Sequence, residues 1–221
     1  AKKALVVVPA SLRDNYALEG VNKFTDSSYN IIGNQQELRS EPSKYGLPTS
    51  DRDYNIVSYE LFRRDPERYI KESGADTVIF DELHRGKNIT KTYESIKQSR
   101  PLYNKFIGGT GSVVSNKLTD VLPLIDAATA GEKELTRTEN LKEFENKFFI
   151  RDNSPKYRGV DDRRKPIIGL RNKNELGKFL GEYVDYTGYE DVKDLADMPD
   201  KVVHEVKVPV SPEQAKAYKK L

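Results

Sequence analysis

Asp76-Thr77-Val78-Ile79-Phe80-Asp81-Glu82-Leu83-His84 is the stretch on which the reading of this chain turns. Val78, Ile79 and Phe80 form a short apolar run of β-branched and aromatic residues, the composition of a strand buried on both faces of a parallel sheet. Two carboxylates follow at once. Ligands of open α/β sheets sit outside the carboxyl ends of the strands, so Asp81 and Glu82 are predicted to stand where a ligand binds. Nucleoside triphosphate hydrolysis is the chemistry that needs such a pair: one acid holds magnesium and the next orients the attacking water. His84 lies two residues beyond the second acid, on the turn that leaves the strand. An acid pair at a strand end is also what a solvated turn looks like, so the rest of the chain has to agree.

Other apolar runs supply further strands. Ala4-Leu5-Val6-Val7-Val8, closed by Pro9, reads as a second central parallel strand. Tyr29 to Ile32, Asn55 to Tyr59 and Tyr103 to Ile107 read as three more. A helix capped by Ser11 and carrying Leu12, Tyr16, Leu18 and Phe24 is predicted after the first strand, and another from about Leu61 to Ser73. The polar segment from Gly33 to Asp53, with Pro42, Gly46 and Pro48, reads as mostly loop. Strands alternating with helices indicate a doubly wound α/β domain rather than a sandwich.

After Gly108-Gly109-Thr110-Gly111-Ser112 an amphipathic helix is predicted, with Leu118, Val121, Leu122 and Ile125 at i, i+3, i+4 and i+7. Leu141, Phe144 and Phe148 suit a further helix, and Leu176, Phe179, Leu180 and Tyr183 another. Between these two, Arg151 to Lys173 reads as a long exposed loop. Val202, His204, Val206, Val208 and Val210 alternate with polar residues, the period of a half-exposed strand. Ser211-Pro212-Glu213 then starts a helix, with Ser as N-cap and Pro first in the helix. The expected division is a core over 1–127, a helical and loop insertion over 128–200, and a closing strand with the start of a linker over 201–221.

Composition narrows the function classes. With 221 residues, 36% hydrophobic and 33% charged, the chain fits a soluble globular protein. A net charge of +2 gives no global basic field, so nucleic-acid binding would rest on local patches. The absence of cysteine excludes disulfides, thiolate metal sites and a cysteine nucleophile, and suits a reducing cytosol. No apolar run approaches the length of a membrane span, and the N-terminus lacks a signal peptide's apolar region and cleavage site. A cytoplasmic protein is expected, prokaryotic or phage-encoded, or a nuclear one in a eukaryote. The chain does not begin with methionine, which fits processing or excision from something longer.

The order of these pieces resembles that of the Swi/Snf-like ATPases, a branch of helicase superfamily two. Asp81-Glu82-Leu83-His84-Arg85-Gly86-Lys87-Asn88 is similar to their signature Asp-Glu-Ala-His-Arg-x-Lys-Asn. Leu5 to Tyr16, with Val-Pro-Ala-Ser-Leu-Arg-Asp-Asn-Tyr, resembles motif Ia, and Ile56-Val57-Ser58-Tyr59-Glu60 resembles motif Ib. Thr110-Gly111-Ser112, followed by Asn116-Lys117-Leu118, is similar to motif III. Met198-Pro199-Asp200-Lys201, the Val strand and Ser211-Pro212-Glu213-Gln214 resemble the segment that closes the first motor lobe. Three features depart from the pattern. Ser112 and Val113 replace Thr and Pro, and Tyr186 and Thr187 replace an Arg pair. No Gly-x-x-x-x-Gly-Lys-Ser/Thr loop is present: Gly86-Lys87 is followed by Asn88 and Gly177-Lys178 by Phe179.

The resemblance implies a RecA-like parallel sheet of the P-loop NTPase type flanked by helices, with a helical insertion late in the chain. It implies most of the first lobe of a DNA-dependent ATPase, with the phosphate-binding loop before Ala1 and the second RecA-like lobe after Leu221. ATP and magnesium would be the cofactors of the intact protein. Duplex DNA, bound without sequence preference, and the second lobe would be its partners, with no membrane. Asp81 would hold magnesium through water, Glu82 would activate the hydrolytic water, and His84 would link the nucleotide state to motif III. Thr110, Gly111 and Ser112 would relay that state to the DNA track. Pro9, Ala10, Ser11, Ser58 and Tyr59 would lie against the phosphates of one strand. The piece alone would not turn over ATP.

Each residue also has a plainer reading. Ser11 reads as a helix cap, Tyr59 as a core aromatic with its hydroxyl satisfied at the rim, and Thr110-Gly111-Ser112 as a strand-to-helix turn. His204 reads as strand packing, while Arg85, Lys87 and Asn88 read as ties from the turn to the next helix. Arg163-Arg164-Lys165, preceded by Asp161 and Asp162, reads as a solvated loop. Two other functions stay open: a RecA-like DNA or protein docking module without a phosphate-binding loop, and the motor of a phage helicase or of a restriction-system translocase.

Overall fold

β1 (Ala4–Val8), β2 (Tyr29–Ile32), β3 (Tyr45–Gly46), β4 (Tyr54–Ser58), β5 (Thr77–Phe80) and β6 (Lys105–Gly108) form one sheet in the order β3-β2-β4-β1-β5-β6. Every pairing in it is parallel. The computed structural model describes residues 3–87, 90–111, 118–161 and 164–188, together with Ser211 and Gln214. It divides into two compact units, Ala1–Leu176 and Gly177–Leu221. The doubly wound α/β class expected from the sequence is the one observed.

In the first unit, the two-residue period of β1 sorts its side chains to opposite faces. Leu5 and Val7 join Val57, Val78 and Phe80 against Phe62 of α4 (Tyr59–Phe62), Ile70 of α5 (Pro66–Ser73) and Ile96 of α6 (Lys91–Ser99). Val6 and Val8 join Ile31 and Ile56 against Ala17 and Val21 on the other face. Each fully buried aliphatic side chain contributes about 1.5–3 kcal/mol, which holds β1 at the centre.

The segment over 10–24 is helical but not uniform. A 3-10 turn (Ala10–Leu12) leads into α1 (Arg13–Asn15), a π-helical turn (Tyr16–Val21) and α2 (Asn22–Phe24). Ser11 does not cap it: Ser11 lies inside the first turn, entered from Pro9 without a side-chain cap. The wider π turn shifts the register of the face. Ala17 and Val21 are therefore buried, while Leu18 stays 52% and Phe24 76% exposed, against the apolar face expected.

Three further expectations are corrected. The segment from Gly33 to Asp53 holds α3 (Gln35–Ser40) as well as β3, started by a reciprocal cap: the Asn34 side chain accepts from the Gln36 and Glu37 amides, and the Glu37 carboxylate accepts from the Asn34 amide. Asn34-x-x-Glu37 was the signal for it. The helix expected over 61–73 is two, because Asp65 caps α5 and Pro66 opens it. Within 151–173 lies half of a hairpin, β7 (Phe149–Arg151) paired antiparallel with β8 (Ile167–Leu170). The helices α7 (Leu122–Ala128), α8 (Thr138–Phe148) and α9 (Lys173–Gly181) lie within the stretches where apolar spacing predicted helices, but Leu118 and Val121 belong to a 3-10 turn (Leu118–Val121) ahead of α7, and Tyr183 lies beyond α9. The strand expected over 202–210 lies outside the described residues. In the second unit, Ser211 and Gln214 cap each other reciprocally, as a helix start at Ser211 requires.

Asp126 on α7 is wholly buried and satisfied on every side. It accepts from Tyr93 (2.5 Å) and Lys97 (3.1 Å) of α6, and from Thr136 (3.2 Å) and the Leu135 amide (2.8 Å) beyond its own helix. Burial alone pushes this carboxyl up; Tyr93, Lys97 and the Leu135 amide outweigh it and hold it below its usual range. A lowered folded-state value means the stabilisation is complete above the unfolded pKa, about 4, and is lost as pH falls through the folded value. Replacing Asp126→Asn is expected to cost about 3 kcal/mol, toward the low end for a broken buried pair because Lys97 still reaches water. Urea unfolding at neutral pH measures that loss, and repeating it in acid is expected to show the wild type converging on the variant.

Candidate active site

The carboxyl ends of β1, β4, β5 and β6 lie side by side, so the turns leaving them share one edge of the sheet. The end of β5 is held from both sides. The Asp81 amide donates to the Val7 carbonyl of β1 at 2.9 Å, and the Gly109 amide, just past β6, donates to the Phe80 carbonyl at 2.9 Å. The chain then turns sharply. Glu82 sits in the left-handed region, φ 52° and ψ 48°, where a side chain of its kind costs on the order of 1–3 kcal/mol. Two hydrogen bonds hold it there: the Glu82 amide to Asp81 Oδ1 (3.0 Å) and the Leu83 amide to the Gly109 carbonyl (2.9 Å). The Leu83 side chain lies where a Cβ on Gly108 would stand, so Gly108 is part of the turn's architecture. Sequence reading missed it, although the Gly108-Gly109 pair was in view.

The turn brings the predicted residues together. His84 Nδ1 is 3.0 Å from Glu82 Oε2 and 3.0 Å from Thr110 Oγ1. An ionised carboxylate only accepts, so the network assigns the proton to Nδ1, shared between carboxylate and hydroxyl. Tyr59 supports the same turn from below, its hydroxyl donating to the Asp81 carbonyl at 2.8 Å. Arg85 covers the Tyr59 ring at 5.8 Å and lies 3.6 Å from Glu60.

The five residues expected against a strand's phosphates separate into two groups. Ala10 and Ser11 are exposed, and Pro9 is buried. Ser58 is 3% exposed, its hydroxyl accepting from the Leu61 amide as the cap of α4, and Tyr59 is 2% exposed. The last two side chains face the core because they terminate β4 and start α4. Thr110 is half-buried, Gly111 is exposed, and Ser112 lies outside the described residues.

Among the described residues Asp81 Oδ2 has no hydrogen-bond partner, and no cluster of three or more His, Cys, Asp or Glu could hold a metal alone. One carboxylate with an open oxygen suits magnesium that arrives with phosphates, since magnesium is typically held by one or two carboxylates and the substrate. A recess of about 680 Å³ beside Ala10, Ser58 and Arg64 is not lined by Asp81 or Glu82.

The profile of the SNF2-related domain family matches residues 1–221. The chain belongs to this family. Among relatives of the SNF2-related domain described here, Protein CHROMATIN REMODELING 25 of Arabidopsis thaliana is 31% identical over 91 residues, 39% of this chain and 10% of that protein. The uncharacterized ATP-dependent helicase YqhH of Bacillus subtilis is 27% identical over 169 residues, 69% of this chain and 28% of that protein. The chain thus spans a small part of the relatives it matches. The Sulfolobus solfataricus SWI2/SNF2 ATPase core, solved in complex with dsDNA, superposes with a TM-score of 0.58 at 24% identity, over 99% of this chain and 41% of that one. At that identity the match speaks for the fold, a RecA-like core of mixed α/β type. Among the described residues no helix is long and apolar enough to cross a membrane.

Burial, and after it the charge of Asp81, pushes the Tyr59 hydroxyl well above its usual range. A raised folded-state value means that its stabilisation is complete below the unfolded pKa, about 10, and is lost as pH rises through the folded value. Tyr59→Phe is expected to lower stability by about 1–2 kcal/mol at neutral pH, since it leaves the Asp81 carbonyl without its donor. Denaturant melts check the loss; an alkaline titration of the wild type followed in the ultraviolet should show a tyrosine that ionises only as the protein unfolds.

Proposed function

We propose that this SNF2-related domain is most of the first motor lobe of a DNA-dependent ATPase, coupling ATP hydrolysis to translocation on, or remodelling of, duplex DNA. The observation that carries the reading is the single histidine nitrogen shared by Glu82 and Thr110. It ties the acid suited to orienting water to the turn after the neighbouring strand, so a movement at one is felt at the other. The names of the relatives, a chromatin remodelling protein and an ATP-dependent helicase, and the duplex in the Sulfolobus complex support a DNA-directed motor.

In this reading Asp81 would hold magnesium through water, and Glu82 would orient the attacking water and accept its proton. ATP, when bound, would supply the transferable phosphoryl group, and magnesium would neutralise the charge on its phosphates. His84 keeps the Glu82 carboxylate in place and passes its position to Thr110-Gly111-Ser112. Ala10 and Ser11 offer an exposed hydroxyl and backbone amides to the phosphates of one strand, without reading sequence. Pro9, Ser58 and Tyr59 act from beneath by setting that backbone. Among the described residues β6 pairs on one side only, with Ile107 half-exposed. An edge strand leaves a row of unpaired backbone N–H and C=O groups, so this edge suits an added strand, and we assign to it the strand bearing the phosphate-binding loop of the parent protein. The second lobe of the parent would complete the site.

In the parent protein Glu82→Gln is expected to reduce DNA-stimulated ATP hydrolysis by a factor of about 10² to 10⁴ while nucleotide still binds. Unchanged turnover would overturn the assignment. The 221-residue chain by itself is expected to show no turnover. Hydrolysis by it that DNA stimulates and Glu82→Gln abolishes would refute the view that the site is incomplete.

A further inference from the structure

The charge of this chain is not evenly spread. Residues 151–173 carry eight Lys and Arg against three Asp and no Glu, a net +5 in a chain whose total is +2, so the remainder is net negative. This basic stretch is the connection of the β7–β8 hairpin together with β8 itself and the start of α9, far in sequence from the acid pair and its motifs.

Among the described residues Arg158, Arg164 and Arg171 are exposed and make no ion pair. On the surface of α5, by contrast, Arg68 and Lys71 are each paired with an acid one turn away. Glu145 of α8, beside the hairpin, is already paired. Arg151 donates to Glu145 at 2.8 Å and to the Lys165 carbonyl at 3.0 Å, both side chains of the pair being largely buried. That pair braces the hairpin and cancels the charge of Glu145. Beside it a recess of about 240 Å³, lined by Glu145, Asn146, Phe149, Arg151, Asn153 and Arg171, is large enough for a phosphate group. Arg171 brings an unopposed guanidinium to it, and Lys165 reaches its rim through Asn153 at 2.9 Å.

We propose that the β7–β8 hairpin is a second contact for duplex DNA, in which Arg158, Arg164 and Arg171 engage the sugar-phosphate backbone without reading base sequence. The proposal rests on the DNA-dependent reading given above and adds a surface to it. Arginine suits the task because its planar fork meets two phosphate oxygens at once. A duplex rather than a single strand fits, because single-strand sites stack bases on exposed aromatic rings. Here Phe149 is buried, and Tyr157 is half-buried beneath Lys156 at 5.4 Å.

The test is fluorescence anisotropy of the 221-residue chain with a labelled duplex of mixed sequence across a salt series. Each phosphate neutralised adds about 0.9 to the slope of log affinity against log salt, so the variant R158A/R164A/R171A is expected to have a slope shallower by about 2.7. The corresponding triple lysine variant is expected to keep most of the slope. Because these side chains are exposed and unpaired, the alanine variant should melt at the wild-type temperature; if it fails to fold, the three single variants, each expected to lose about 0.9, replace it. Wild-type slope in the alanine variant overturns the hairpin contact and leaves the DNA reading intact. A wild-type chain that binds no duplex at low salt overturns both. Tighter binding to anionic lipid vesicles or to polyglutamate than to the duplex, lost in the alanine variant, also overturns the proposal, since the hairpin would then serve a different polyanion.

Discussion

The end of β5 is held by two backbone hydrogen bonds, Asp81 to Val7 on one side and Gly109 to Phe80 on the other, and the rest of the structure depends on that hold. A strand gripped on both edges cannot fray, so the chain leaves it along one path only. Glu82 is forced into a left-handed turn, and the cost is met locally by the Asp81 side chain and the Gly109 carbonyl. The sharpness of the turn brings His84 back over the neighbouring strand's exit, where it meets Thr110. Without parallel register to β1 and β6, the acids and the histidine would be a solvated loop.

The supports beneath this edge are apolar and aromatic. Tyr59 faces the core, is tilted against Phe80 at a ring separation of 6.3 Å, and spends its hydroxyl on the Asp81 carbonyl. Ser58 spends its hydroxyl on starting α4. These two residues are more rigidly placed than residues waiting for a ligand would be, and the surface beside the motif is left to Ala10 and Ser11. On the far side of α6, the carboxylate of Asp126 plays a comparable part. It gathers donors from α6 and from the chain beyond α7, and so ties the helix that follows the acid-pair turn to the helix that follows Thr110.

Much of the fold could be read from the chain, for a definite reason. Strands buried on both faces are continuous apolar runs, and Ala4 to Val8 and Val78 to Phe80 are such runs. The order of motifs along the sequence was legible too, since each is a local string. What escaped were elements whose signal is short or polar. β3 has two residues, too few for any period. β8 is hidden between charged neighbours, so a hairpin read as a loop. The π turn at Tyr16–Val21 has no signature in the residue types, and in it Ala17 and Val21, not Leu18, face the sheet, while Phe24 beyond it is exposed.

The sequence by itself determined the class of fold, the acid pair and the histidine two places on, because hydrophobic period and residue type are properties of a few neighbours. Only the tertiary structure decided which partners those residues meet: that Glu82 and Thr110 share one nitrogen of His84, that Tyr59 props the Asp81 carbonyl, and that Gly108 yields its space to Leu83. Each of these contacts joins positions about 20 or more residues apart, or on different strands, and depends on parallel register. Register is set by the burial of whole strands together, which no single stretch of sequence carries.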